Sequence, residues 1–331
     1  MSSTRPAIVG PSRRRSLRPA RCVLAAALAG LGFGVAGGAE ALDWSKSKPV
    51  EVMLFYPGQG SWEWVMTAKD HGGATKFREG KNCKSCHEGE QTDMGRLIVG
   101  GEKLEPKPIK GKPGAVKMQV STAHDGQRLY LRLQWRAAAP SGVRMNPDYA
   151  ARVAVMITDG QVKEAARAGC WASCHDDASG MASAAPGTKI GKYLGNSRSR
   201  LGRSGGGENF KPAAAIAQLL AKGAFVEYWQ AKLNPGRPAQ AVSGWILDRR
   251  HQHPKPAITA NATFQGGLWT VELSRPLKAT GAGQKDLLPG TTYAVGFALH
   301  DDYSDHRYHH VSFEQTLILD QGAADFVVKR N

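Results

Sequence analysis

Apolar and polar residues alternate with period two on both sides of Asp125-Gly126. Val116, Met118 and Val120 occupy one arm, and Leu129, Leu131, Leu133 and Trp135 occupy the other, set against Tyr130, Arg132, Gln134 and Arg136. Successive strand side chains point to opposite faces, so the pattern predicts a hairpin with one buried face and a tight turn at Asp-Gly. An apolar run over 50–56 predicts an opening strand, and Val153, Val155 and Ile157, running into Asp159-Gly160, predict another. The last third predicts six more, over 225–232, 242–247, 258–264, 268–273, 292–300 and 309–319, with Gln265-Gly266-Gly267 as a second tight hairpin. Helical signals are few: 61–69, and 212–222 with Pro212 at its start and Gly223 just past its end.

Many short strands punctuated by turns predict a mainly β protein, an antiparallel β-sandwich with inserted loops and a few short helices. Between the first strand and the hairpin, 100–114 is dense in Pro, Lys and Gly and reads as an extended connector. Residues 176–211, rich in Ser, Gly, Arg and Ala, read as an exposed loop, with Lys189, Lys192, Arg198, Arg200 and Arg203 as a possible docking surface. No internal repeat is visible.

The chain opens with a secretory signal pattern. Arg13, Arg14, Arg15, Arg18 and Arg21 form a basic stretch, 22–36 is apolar, and Ala39-Glu40-Ala41 fits a cleavage site that would leave Leu42 first. The alternative is an uncleaved membrane anchor, for which the apolar stretch is short. The predicted organisation is therefore a signal peptide over 1–41, an N-terminal segment with Cys83, Cys86 and the connector over 42–114, and a sandwich domain over 115–331 with Cys170 and Cys174 in an inserted loop. Six of the 44 basic residues and one of the 28 acidic ones precede Leu42, which leaves a formal charge of +11 on the rest. That surface suits an acidic redox partner or an anionic membrane; no basic patch with interleaved aromatics points to nucleic acid.

Chemistry is concentrated in the cysteines. Cys22 lies in the signal, and the other four form Cys83-Lys84-Ser85-Cys86-His87 and Cys170-Trp171-Ala172-Ser173-Cys174-His175. C-x-x-C-H is the arrangement for covalent haem, in which both sulfurs become thioethers and the adjacent imidazole binds iron. The second run has the rarer C-x-x-x-C-H spacing. A zinc site, two disulfides or a dithiol centre would also use paired cysteines, but none of them calls for a histidine after each pair. The expectation is two covalently attached haem c groups in the periplasm, on Cys83, Cys86, Cys170 and Cys174, with His87 and His175 as proximal iron ligands.

The sixth ligand separates electron transfer from catalysis at an open iron. For the first haem His71 leads, because Gly72 and Gly73 would let its imidazole approach a flat cofactor; Met94, seven residues after His87, is a strained choice. For the second, alternation over 309–319 groups His309 with Val311, Phe313, Leu317 and Leu319 and turns His310 outward with Ser312 and Glu314. His300 shares its face with Ala294, Gly296 and Ala298, a row of small side chains that would leave room for a porphyrin. His309 and His300 are both candidates. His124, at the hairpin turn, is expected to be exposed, and His251 and His253 read as loop residues.

The segments Gly169 to Asp177, Phe297 to Asp302 and Arg307 to Ser312 resemble dihaem c-type cytochromes built on the ethylbenzene-dehydrogenase-related haem-binding domain. That domain is similar to the haem subunit of molybdenum enzymes of the dimethyl-sulfoxide-reductase type. The resemblance covers most of 50–320 and implies a β-sandwich and a periplasmic electron carrier or electron-transfer subunit. Non-covalent members hold a b-type haem by other ligands, so those ligands do not transfer to a chain with two C-H motifs. The resulting expectation is a dihaem cytochrome c that relays single electrons from a respiratory donor to a redox enzyme or another cytochrome, with no catalytic residue. A membrane quinol-oxidising cytochrome or a molybdenum enzyme is the implied partner. The alternative is a haem enzyme, a dihaem peroxidase or small-molecule reductase, with one open iron.

Overall fold

A computed structural model describes residues 42–60, 62–142, 144–169, 173–175, 192–200 and 209–331, apart from the side chains of Glu63, Cys174 and His175. The first half of the described chain runs β1 (Val50–Phe55), α1 (Trp62–Val65), α2 (Ala74–Arg78), α3 (Cys83–His87), α4 (Gln91–Val99), β2 (Ala115–His124), β3 (Arg128–Arg136), β4 (Ala151–Thr158), α5 (Lys163–Ala168), β5 (Ser173–His175) and β6 (Lys192–Leu194). It continues through α6 (Ala213–Ala221), β7 (Val226–Leu233), β8 (Gln240–Ile246), β9 (Arg250–Gln252), β10 (Thr259–Gln265), β11 (Leu268–Pro276), β12 (Tyr293–His300), β13 (His310–Ser312), β14 (Gln315–Leu319) and β15 (Phe326–Arg330).

The predicted hairpin is present, with Met118 opposite Trp135 and Val120 opposite Leu133. Its turn is held by Asp125, whose Oδ1 accepts from the Gln127 and Arg128 amides, each at 2.7 Å. The second tight hairpin pairs Gln265 with Leu268. Its two loop residues, Gly266 and Gly267, have φ of 56° and 76°, which the twist of a two-residue β-loop demands and side chains resist.

Thirteen strands share one sheet in the order β10-β11-β3-β2-β1-β13-β12-β4-β7-β8-β9, with β14 and β15 bridging from β12 to β2. All pairings are antiparallel except β14 with β15 and β15 with β2. The sheet folds over so that its halves share a core: Val120, Leu131, Leu133, Trp135 and Val271 from one, and Val153, Val155, Trp229, Val295 and Phe297 from the other. The sandwich expectation holds. Its two halves are also linked inside by a fully buried ion pair, Arg275 Nη2 to Glu227 Oε2 at 2.7 Å, with Arg275 Nε donating to Oε1 at 2.8 Å.

The alternate residues of β4, β7 and β12 face away from that core and build a second one. Met156, Tyr228 and Ala298 pack there with Trp62, Val65, Phe77 and Cys83 from the N-terminal helices, Ala165 and Ala168 from α5, and Tyr193 and Leu194 from β6. Both cysteine motifs thus approach the outer face of one sheet half.

The expected continuous strand over 309–319 is broken. Ala298 pairs with Val311, but Val295 pairs with Gln315, so four steps on this strand oppose three on β12. One extra residue makes a bulge and inverts the alternation: Val311 and Phe313 join the second core, Leu317 and Leu319 the first. His310 is not outward but 1% exposed, because the connector covers it and its Nε2 donates to the Pro113 carbonyl at 2.7 Å. His124 is also buried, because β15 runs beside the end of β2 and Asp320 Oδ1 lies 2.8 Å from its Nε2. The helix expected over 61–69 stops at Val65, since the Thr67 carbonyl turns to accept from the Asp70 and His71 amides.

Candidate functional site

The first motif is a single capped turn. Asn82 accepts from the Ser85 amide at 2.7 Å and Ser85 Oγ answers the Asn82 amide, a capping box that starts α3 at Cys83. Residues three and four apart share a helix face, so Cys83, Cys86 and His87 project together. Cys83 is buried and Cys86 exposed. Burial above all, with the nearby Glu314 carboxylate, pushes the Cys83 thiol up and keeps it neutral.

His87 directs Nδ1 at Glu90 Oε2, 2.8 Å away, and His71 directs Nδ1 at the Val65 carbonyl, 3.0 Å away. A histidine whose Nδ1 proton is spent on an oxygen presents the Nε2 lone pair, the usual way a protein orients a metal-binding imidazole. The two ring centres are 6.2 Å apart. Two metal–imidazole bonds of about 2.0 Å on opposite sides of one metal place ring centres about 6 Å apart. Gly73 explains why glycine follows His71: a Cβ there would lie 3.0 Å from His71 Cε1 and 3.2 Å from Nε2. Phe77, Trp64 and Val65 wall the same pocket of about 110 Å³ as Cys83, Cys86, His71 and His87. Met94, from α4, lines it too. Two thiols, two imidazoles and an apolar wall fit a covalently attached haem at this place.

For the second motif, Ser173–His175 forms β5, paired with β6 so that His175 stands opposite Lys192. Cys170 lies outside the described residues, as do the side chains of Cys174 and His175. Lys192 lines a pocket of about 200 Å³ on the outer face of β4, β7 and β12, together with Ala154, Met156, Tyr228, Ala298, His300 and His309. The predicted row of small residues beside His300 does open space, through Ala298 with Ala154 opposite it.

His300 and His309 stack with ring centres 4.8 Å apart. Both donate to the His306 carbonyl, His300 from Nε2 at 2.8 Å and His309 from Nδ1 at 3.1 Å. The chain between them takes a left-handed conformation at Asp302, Tyr303 and His306, backbone strain that delivers this carbonyl to both rings. Burial, reinforced by the Arg152 cation, holds His300 well below the ordinary histidine range, hence neutral. Arg152 in turn binds Asp305 at 2.6 Å, and despite burial this bond holds the Asp305 carboxyl at about 2.

The two motifs are neighbours. Helices α3 and α5 are in contact, and Arg167 of α5 donates to the Phe77 carbonyl at 2.5 Å. Between them sits Glu314, whose Oε1 accepts from the Lys84 amide at 2.9 Å. Gly169, just before Cys170, has φ of 53°, and a Cβ on it would meet the Glu314 amide nitrogen at 3.1 Å.

Other expectations resolve differently. His251 is in β9, stacked on Trp245 at 4.6 Å, and His253 bonds Ser243 and the Ala282 carbonyl. Arg198 is no docking cation: it is 5% exposed, 3.9 Å over the Tyr193 ring and 4.1 Å over Phe210. Lys192 faces the second pocket, Arg200 is exposed, and Lys189 and Arg203 lie outside the described residues. A cavity of about 570 Å³ is bounded by the connector and by the buried Arg307–Glu105 pair, with no cysteine among its described lining residues. Sequence reading missed Glu90, Arg152 and Glu314. Glu90, three residues after His87, carried the only local signal.

The sequence model of the ethylbenzene dehydrogenase family matches residues 41–255 and 246–312. Cytochrome c-552 of Stutzerimonas stutzeri is 36% identical over 297 residues, 88% of this chain and 92% of that protein. Cytochrome c-551 of Rhodocyclus tenuis is 36% identical over 158 residues, 46% of this chain and 62% of its own length. A crystal structure from Bacteroides uniformis aligns over 62% of this chain with 11% identity and a TM-score of 0.30, too slight a likeness to inform the fold or the site.

Proposed function

The chain belongs to the ethylbenzene dehydrogenase family, and from that premise we propose that it is a periplasmic dihaem cytochrome c that passes single electrons between redox proteins. Two relatives named as cytochromes c support the haem c electron-transfer role. The observation that carries the reading is the convergence of Cys83, Cys86, His87 and His71 on one apolar pocket, with both imidazoles oriented through Nδ1 and their centres 6.2 Å apart.

Cys83 and Cys86 would hold the first haem and His87 and His71 its iron; Cys170, Cys174 and His175 would hold the second. For the sixth position there we choose His309. Its Nδ1 donates to the His306 carbonyl, the tether through Nδ1 that His71 and His87 share, and Nε2 is the nitrogen that would meet iron. His300 spends Nε2 on the same carbonyl and retains only Nδ1, the nitrogen crowded by its own Cβ. His300 then acts as a positioning residue stacked on His309.

Bound haem c supplies a one-electron ferric/ferrous couple. His87 and His71, and His175 and His309, would hold the irons, and the burial and local charge that the protein supplies around them would set the potential. Helix α3, which carries the first motif, touches α5, which leads into the second, and this contact supports relay within one chain. The formal charge of +11 beyond Ala41 suits an acidic partner.

The test is intact mass with absorption spectra of the exported protein. Two covalent haems, both low-spin and indifferent to carbon monoxide and peroxide, support the carrier. One haem by mass overturns the dihaem reading, and a high-spin component that binds these ligands indicates an enzyme instead.

A further inference from the structure

We propose that Glu314 is the proton-binding residue of the first haem, taking one proton from water each time that haem accepts an electron from its redox partner. The inference rests on the haem c reading of Cys83, Cys86 and His87. It makes electron transfer by this protein proton-coupled.

Position comes first. Glu314 is 4% exposed and sits at the bulge that separates β13 from β14, against the backbone of the first motif. Its Oε1 accepts from the amide of Lys84, the residue after Cys83, while its Oε2 is buried with no hydrogen-bond partner among the described residues. Its neighbour Phe313 lies 6.4 Å, ring to ring, from His87. A half-satisfied carboxylate in such a place is costly as an anion and comfortable as an acid, whose hydroxyl needs only one acceptor.

The charged groups around it do not remove that cost. Lys84 spends its ammonium on Asp325 at 2.5 Å and on Glu88 at 3.7 Å. Arg167 of α5 donates to Phe77, and Asp325 adds a like charge. Burial foremost raises the Glu314 carboxyl to about 7, with the Lys84 amide bond opposing. A ferric haem carries one more positive charge than a ferrous one, so oxidation favours the carboxylate and reduction the acid. The step balances: ferric iron with carboxylate, plus one electron from the partner and one proton from water, gives ferrous iron with a carboxylic acid.

The experiment follows both haem potentials by spectroelectrochemistry from pH 5 to pH 9 in the holoprotein and in Glu314→Gln. One wave should fall by up to about 59 mV per pH unit, the one-electron equivalent of a tenfold change in proton activity, across a window around pH 7. Glu314→Gln, an isostere that keeps the Lys84 contact, should flatten that wave at its low-pH value. Glu314→Asp should keep a slope with a displaced window. Reduced-minus-oxidised infrared spectra should show a protonated carboxyl band that Glu314→Gln lacks. A flat wave in the unaltered holoprotein, or a slope and band that survive Glu314→Gln, overturns the proposal alone. Absence of haem mass on the peptide of Cys83 and Cys86 overturns it together with its premise.

Discussion

His71 and His87 stand with ring centres 6.2 Å apart, each tied through Nδ1 to an oxygen of its own segment, the Val65 carbonyl and the Glu90 carboxylate. Neither tether depends on the other, so removing one imidazole should leave its partner in place. His71→Ala is expected to turn the haem on Cys83 and Cys86 high-spin and open it to carbon monoxide. Met94 lines the same pocket and could substitute, so the double variant His71→Ala/Met94→Leu gives the full effect. Absorption spectra with and without carbon monoxide are the check; unchanged low-spin spectra in the double variant would remove His71 from the site.

Gly73→Ala probes the same pair by packing alone. Gly73 has φ of −80°, a conformation that alanine accepts, so backbone strain is not the issue. The added Cβ would press on the His71 ring from 3.0 Å. We expect a partial high-spin component with a stability change under about 1 kcal/mol, within the range of minor substitutions. A stability loss with fully low-spin spectra would mean that the ring moves without leaving the iron.

At the second site His309 and His300 make opposite predictions. His309→Leu should convert the second haem to a ligand-binding, high-spin form. His300→Leu should keep it low-spin while loosening the stack, since His309 retains its own bond to His306. Magnetic resonance of the ferric protein distinguishes the two, and the reverse outcome would assign His300 to iron.

Arg275 and Glu227 lie at zero exposure and connect β11 to β7, with Glu227 also accepting from Trp229 Nε1 at 2.7 Å. Breaking one partner leaves a buried charge alone, so Arg275→Leu should cost about 3–5 kcal/mol. Chemical denaturation should show the loss with haem spectra intact until unfolding. The Arg275→Leu/Glu227→Gln pair should recover part of it.

Glu314 should also mark the pH dependence of stability. Its folded value, about 7, lies above the ordinary carboxylate value of 4.5, so the folded state binds more protons between those limits. Stability therefore falls as pH rises from about 4.5 to 7, and above 7 the full cost of the buried anion is present. Glu314→Gln should match the unaltered protein near pH 4.5 and exceed it by about 1–3 kcal/mol at pH 8. Urea unfolding at the two pH values tests this, and a gap independent of pH would contradict it.

The hairpins, the sandwich, the cysteine motifs and the closeness of His71 to the first of them were legible in the sequence because each rests on short-range regularity. Alternation is a property of neighbours, and His71-Gly72-Gly73 lies within one helix-length of Cys83. The bulge at Phe313 and Glu314 was invisible, since one inserted residue changes no local propensity but inverts every side chain beyond it. His310 and His124 were misplaced for the same kind of reason: what buries them is the connector at Pro113 and the strand β15, distant in sequence.

By itself, then, the sequence determined the chemistry the chain can carry, because thiols two or three residues apart beside a histidine are fixed by covalent spacing. It also determined that strands would dominate, because period two is written residue by residue. Only the tertiary structure decided which oxygens orient His71, His87 and His309, and that the two motifs lie side by side with Glu314 between them. Those relationships join residues up to 230 positions apart, as Lys84 and Glu314 are, and depend on how the folded sheet brings them into contact.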